Sequence, residues 1–366
     1  MSDPGKLAET LNKKLGSLHD PVVSEDPFSW SDSDKDRQAR EKTFRDVSEK
    51  LNTFIYVSKT GTVVKILLFG TALPLLVLAI LYLAGIPAEE DMRLWVWGGL
   101  VATAVISAIA TVVIADDPDI DSDLALAAYA VPRGWSFSRI KTGKVWQKYQ
   151  KHFRYFNQGD EDQEIECRIW GYSDAERKRP FQLFHFYFEE VYYTTEFIRD
   201  AKGNVIGTRQ VKHEIPHHRY GIFSALPESK VRFRISETNG DAGLDTHIAL
   251  EYGALNKEVD IYCDAKDELT VRQFLSPAVQ EVVMEMSNDL SEMHIDFYPG
   301  LVLIVTDHDF LDRVVGIELD ENTSHFEKAV KPAEDLIEGF RGTLLGSIDK
   351  IKKYNDNYPS KRKEVK

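Results

Sequence analysis

Ten histidines are the main stock of reactive side chains in this 366-residue chain, which carries only two cysteines. Their densest group is His213-Glu214-Ile215-Pro216-His217-His218. Imidazole nitrogens suit zinc, copper and nickel. On a β-strand His213 and His217 would point the same way. Pro216 stands between them and is expected to break the strand, which spoils that geometry. His213, His217 and His218 are the candidate metal ligands, and they need a further ligand from elsewhere, such as His185 or Cys167. The spacing matches no defined metal site, so polar packing around a strand end is the simpler reading.

A second group is Asp307-His308-Asp309. A carboxylate beside an imidazole can tune its pKa for acid–base work. Neighbours on a strand point to opposite faces, so His308 shares a face with neither aspartate. If the chain holds a ligand-sensing or hydrolytic site, His185, His213, His217 and His308 are its titratable candidates. Cys167 and Cys263 have no local partner and read as buried thiols. Phosphate-binding glycine loops, H-E-x-x-H, C-x-x-C and G-x-S-x-G motifs are all missing from the sequence. No catalytic residue and no cofactor is assigned on this basis.

The elements that must position these residues fall on either side of two apolar runs. Val63–Ala84 has Lys65 as its only charge, and Leu94–Ala115 has none. Each is long enough to cross a bilayer core, for which about 20 residues are needed. Trp95 and Trp97 open the second run, where an interfacial aromatic belt is expected. Gly85–Arg93 is a short acidic link, so residues 62–115 are expected to form a transmembrane hairpin. Lys42, Arg45, Lys50 and Lys59 precede the first run, against Arg93 alone in the link. That bias places both termini on the cytoplasmic side of an inner membrane.

Residues 1–34 are polar and proline-containing, a composition that favours disorder. Residues 35–61 carry Phe44, Val47, Leu51 and Phe54 at helical spacing, which predicts an amphipathic juxtamembrane helix. Residues 116–145 begin DDPDIDSD and read as an acidic linker and connecting segment. The run lacks the glycine and closing glutamate of an EF-hand.

Residues 146–323 predict a mixed α+β domain with antiparallel strands. IECRIWGY, FQLFHFYFEEVYYTTEFI, VIGTRQVKHEI, KVRFRISE and HIALEY are strand-like, and 200–204 is the turn of a β-hairpin. Residues 181–188 are apolar on both faces, which implies a central, covered strand. Residues 275–290 are helical, with Ser276 as N-cap and Pro277 at the first position. Two short strands follow, with Pro299-Gly300 as their turn. Residues 324–354 form a last helix and 355–366 a basic tail. The net charge of -14 argues against nucleic acid as a partner.

Three segments resemble the bacterial domain-of-unknown-function family 3137. They are HHRYGIFSALPES (His217–Ser229), LEYGALNKEVDIYCDAKDELTVRQFLSPAVQEVV (Leu250–Val283) and DFYPGLVLIVTD (Asp296–Asp307). The resemblance spans somewhat under half the chain and implies a membrane-anchored protein with two helices ahead of its domain. It implies no catalytic or ligand residue. Together these features lead to the expectation of a membrane-anchored interaction or scaffold module. Its partners would be the lipid bilayer and a protein partner or a homo-oligomer.

Overall fold

The computed structural model describes residues 4–19, 34–67, 123–139, 143–174, 176–199, 201, 203, 205–237, 243–308 and 326–356. The chain divides into two compact units. One comprises residues 1–17, 43–121 and 318–329, and the other residues 18–42, 122–317 and 330–366.

In the first unit, helix α1 (Pro4–Gly16) buries Ala8, Leu11 and Leu15, a spacing that makes one apolar stripe. Composition alone favours disorder for residues 1–34, but this stripe gives residues 4–16 a face to bury. Helix α2 (Asp34–Leu67), which belongs to this unit from Thr43 onward, buries Phe44, Val47 and Leu51. Lys14 pairs with Asp46 across the two helices. Among the described residues no helix is long and apolar enough to cross a membrane. Apart from 63–67, where α2 ends, the two apolar runs of the expected hairpin lie outside the described residues, as does the basic tail beyond Asp356.

The second unit is α+β, and it is built on a nine-stranded sheet in which every pairing is antiparallel. The strands are β1 (Ser136–Ser138), β2 (Glu161–Tyr172), β3 (Pro180–Arg199), β4 (Val205–Leu226), β5 (Phe233–Ser236), β6 (Thr246–His247), β7 (Asp260–Cys263), β8 (His294–Tyr298) and β9 (Gly300–Thr306). Their spatial order is β1-β2-β3-β4-β9-β8-β5-β7-β6. The segment HIALEY contributes only the two-residue β6.

Both faces of the inner half of β3 are covered. Phe184, Phe186 and Phe188 meet Tyr149 of helix α4 (Gly143–His152), Phe153, and Tyr155 and Phe156 of a 3₁₀ turn (Arg154–Asn157). Phe223, Leu303 and Val305 complete this aromatic core. On the opposite face Phe181 meets Trp135 edge-on at 5.0 Å. The Arg341 guanidinium of helix α8 (Phe326–Asp356) lies over both rings. Tyr129 of helix α3 (Asp123–Ala130) donates to Glu338 of α8 at 2.7 Å. Covering layers on both sides explain why β3 is apolar on alternate and intervening positions alike.

Residues 123–139 are therefore not a linker. All eight residues of α3 are buried, and Asp123, the last of the acidic run, pairs with His19 and Arg139. The charge is tolerated in the interior because it has cationic and hydrogen-bonding partners. At the far end of the sheet, Phe233 and Phe297 stack at 4.2 Å beneath Phe274 of helix α6 (Glu268–Phe274). Helix α7 (Pro277–Asp289) buries Val279, Val282, Val283 and Met286. A short helix α5 (Leu255–Glu258) precedes β7.

The β3–β4 hairpin outruns its neighbours. Among the described residues β2 pairs with β3 only as far as Glu189, and β9 pairs with β4 only from Tyr220 onward. Residues 190–199 and 205–215 form a two-stranded arm that carries Tyr192, Tyr193, Phe197, Ile198, Val205, Ile206 and Ile215 as exposed hydrophobic side chains.

Close packing of β4 against β9 makes Gly221 intolerant of a side chain. A Cβ there would meet the Ile304 carbonyl oxygen at 2.4 Å and the Phe184 ring at 2.6 Å. Gly221→Ala is expected to destabilise the protein by about 1–3 kcal/mol, the usual cost of overpacking. Gly253→Ala, where a Cβ meets nothing within 4 Å, is expected to be near neutral. Thermal melting of the two variants checks the contrast, and equal melting temperatures would contradict it.

Candidate metal centre on the central strands

β4 runs unbroken through Pro216, which corrects the expected strand break. Glu189, opposite Pro216, accepts a hydrogen bond from the Asp160 N–H on its β2 side at 2.7 Å. Glu189–Pro216 is therefore a non-hydrogen-bonded position of the β3–β4 ladder. The N–H that proline lacks would point outward, where no ladder bond is lost.

This continuous strand separates the three candidate ligands. His213 and His217 do lie on one face, but each is engaged with its own cross-strand neighbour. His213 stacks on Tyr192 at 4.8 Å and hydrogen-bonds Thr194, whereas His217 stacks on Phe188 at 4.9 Å. They form no joint site. His218 points to the opposite face and joins His185 instead.

His185 is buried, and its two ring nitrogens have different partners. Nδ1 is 3.1 Å from a Glu166 carboxylate oxygen, and Nε2 is 3.0 Å from His218 Nδ1. The His185 ring stacks on Tyr220 at 4.5 Å, and Tyr187 lies against His218 at 5.1 Å. Glu166, which motif spacing does not reveal, reaches the site through a register shift between Ile165 and Cys167. At that bulge Glu166 and Cys167 both stand opposite His185. Bulges re-aim side chains in this way and are common beside functional sites.

The ligand-capable atoms of Glu166, His185 and His218 lie within 4.8 Å of one another. Burial pushes the thiol of the neighbouring Cys167 up to about 12. Nearby, the hydrogen bond to Glu189 pushes the Tyr187 hydroxyl up to about 12.

The remaining histidine candidate is elsewhere. His308 lines an open cleft of about 460 Å³ with Glu237, Glu258, Asp289 and Glu292. Its ring is parallel to Phe340 at 6.3 Å. His185, His213, His217 and His308 thus do not converge on a single pocket. No family model matches the chain, and no curated protein or solved structure is found similar to it. The resemblance to family 3137 rests on the three sequence segments alone.

A further buried histidine makes stability pH-dependent. His294 on β8 lies beside Ser236, Tyr155 and the bidentate ion pair Arg234–Asp296, whose N–O distances are 2.5 and 2.7 Å. Burial, reinforced by Arg234 and Arg219, pushes its pKa down to about 3. The unfolded chain, with histidine near 6.5, then binds more protons than the native one between pH 6.5 and 3. Stability from this group is complete above pH 6.5 and is lost as pH falls through that window. Acidification from pH 7 to 5 is expected to cost about 1–2 kcal/mol from this residue. Melting curves of the full chain and of His294→Gln check it. The variant should show the shallower pH dependence, and identical slopes would contradict the assignment.

Proposed function

We propose that this protein is a membrane-anchored interaction module that assembles with further copies of itself through the β3–β4 arm. The observation that carries the proposal is the arm's exposed apolar surface on both faces. Tyr193, Phe197, Val205 and Ile206 share one face, and Tyr192, Ile198 and Ile215 the other. A lone two-stranded hairpin is marginal in water, and long apolar edge strands invite pairing. A second copy brings the same arm, so the two can cover each other about a two-fold axis.

Membrane anchorage is supported by the two runs at 63–84 and 94–115, each apolar enough and long enough to span. The Lys and Arg bias before the first run favours an inner-membrane protein with both termini cytoplasmic. The resemblance to family 3137 agrees with such an anchor. The acidic net charge disfavours nucleic acid as the arm's occupant.

Fractionation followed by sedimentation of the full chain in mild detergent tests both parts. The expected result is recovery with the membranes as a stable oligomer. Phe197→Asp with Ile206→Asp should shift it towards monomer while its circular dichroism stays unchanged. Recovery in the soluble fraction would overturn the anchor. A monomeric parent, or an oligomer indifferent to the double substitution, would overturn the arm as the assembly element.

A further inference from the structure

We propose that His185, His218 and Glu166 form a binding site for one divalent transition-metal ion of the imidazole-preferring class, with zinc as the leading occupant. The inference is independent of self-assembly and of the membrane anchor. His185 Nε2 and His218 Nδ1 face each other at 3.0 Å. Two nitrogens bound at ~2.0–2.1 Å in a tetrahedral zinc shell stand roughly 3.3 Å apart, so a small separation of the rings admits the ion.

Glu166 decides which nitrogen of His185 is available. Its carboxylate can only accept, so the 3.1 Å contact places the proton on His185 Nδ1. That leaves the lone pair on Nε2, directed at His218. Metal-bound histidines commonly have their other ring N–H held by a carboxylate in this way, which raises ligand basicity. The bulge at Glu166 brings the carboxylate to this position, and the Tyr220 ring stacked on His185 fixes the plane of the imidazole.

Access and rigidity also suit an ion site. His185 is buried on the covered strand, whereas Glu166 is partly buried and His218 is open to solvent, which leaves an approach for the ion. The ligands project from two hydrogen-bonded strands in fixed register, not from loops. Binding exchanges the imidazole–imidazole hydrogen bond for two metal–nitrogen bonds, with His218 carrying its proton on Nε2. Water fills the remaining positions, and Glu166 acts through His185 as a positioning residue.

Titration of the untagged full chain in mild detergent with zinc chloride, followed calorimetrically, tests the site. Cobalt(II) titration of the same protein reads the ligand field through its visible absorption. The expected result is one ion per chain with imidazole-type cobalt bands. His218→Ala should weaken zinc binding at least about tenfold, and Glu166→Gln about ten- to a hundredfold. His213→Ala, on the same strand but the other face, should bind like the parent. The proposal is overturned if the parent shows no one-site binding. It is also overturned if His218→Ala binds as tightly as the parent, or if His213→Ala loses as much affinity. Should His218→Ala fail to fold, the near-isosteric Glu166→Gln decides alone, and unchanged zinc affinity with unchanged cobalt bands would sink the assignment.

Discussion

The register of the β3–β4 ladder is the constraint on which the rest of this domain depends. Phe184 opposite Gly221, and Gln182 opposite Phe223, lock the two strands where the aromatic core needs them. The same register sets Tyr187 opposite His218 and His185 opposite Tyr220, so the two imidazoles become diagonal neighbours on the other face. A slip of one residue would turn His218 into the phenylalanine core and Phe223 out of it. Packing and candidate chemistry are thus selected together, because a strand's period of two leaves no way to shift one alone.

The hairpin has two regimes along a single pair of strands. Its inner half is central in the sheet and covered on both faces, by α4 with its 3₁₀ turn on one side and by α3 and α8 on the other. Its outer half has the same ladder but neither neighbouring strands nor covering helices among the described residues. The change comes at Glu189 and Tyr220, where pairing with β2 and β9 ends. The polar interior follows the same logic of partnering. Arg234 faces Asp296 bidentately on adjacent strands, and buried charges of this kind persist only when paired.

Much of the fold was legible in the sequence, and the failures have physical causes. Alternation and β-branched content locate β2, β3, β4 and the β8–β9 turn, and Ser276-Pro277 marks the start of α7 within a residue. Residues 181–188 announce their central place by being apolar on both faces. The length of β4 was not legible, because Pro216 disrupts a strand only where its N–H would join the ladder, and that depends on pairing phase. Helix α1 escaped because a three-residue stripe is weak against a polar background. Asp123 looks like linker when its partners His19 and Arg139 are distant in sequence. Of the candidate metal centre, His218 and His185 were in view, but Glu166 was not. A bulge is a property of two paired strands, and nothing in IECRIWGY alone reveals which residue it displaces.

Hydrogen–deuterium exchange along the hairpin of the full chain tests the central claim most directly. The expected profile is lasting protection at 181–188 and 217–226, a sharp fall beyond Glu189 and before Pro216, and protection of the arm that rises with protein concentration. Protection that is uniform along both strands and independent of concentration would contradict a hairpin divided between a covered core and an exposed, self-associating arm.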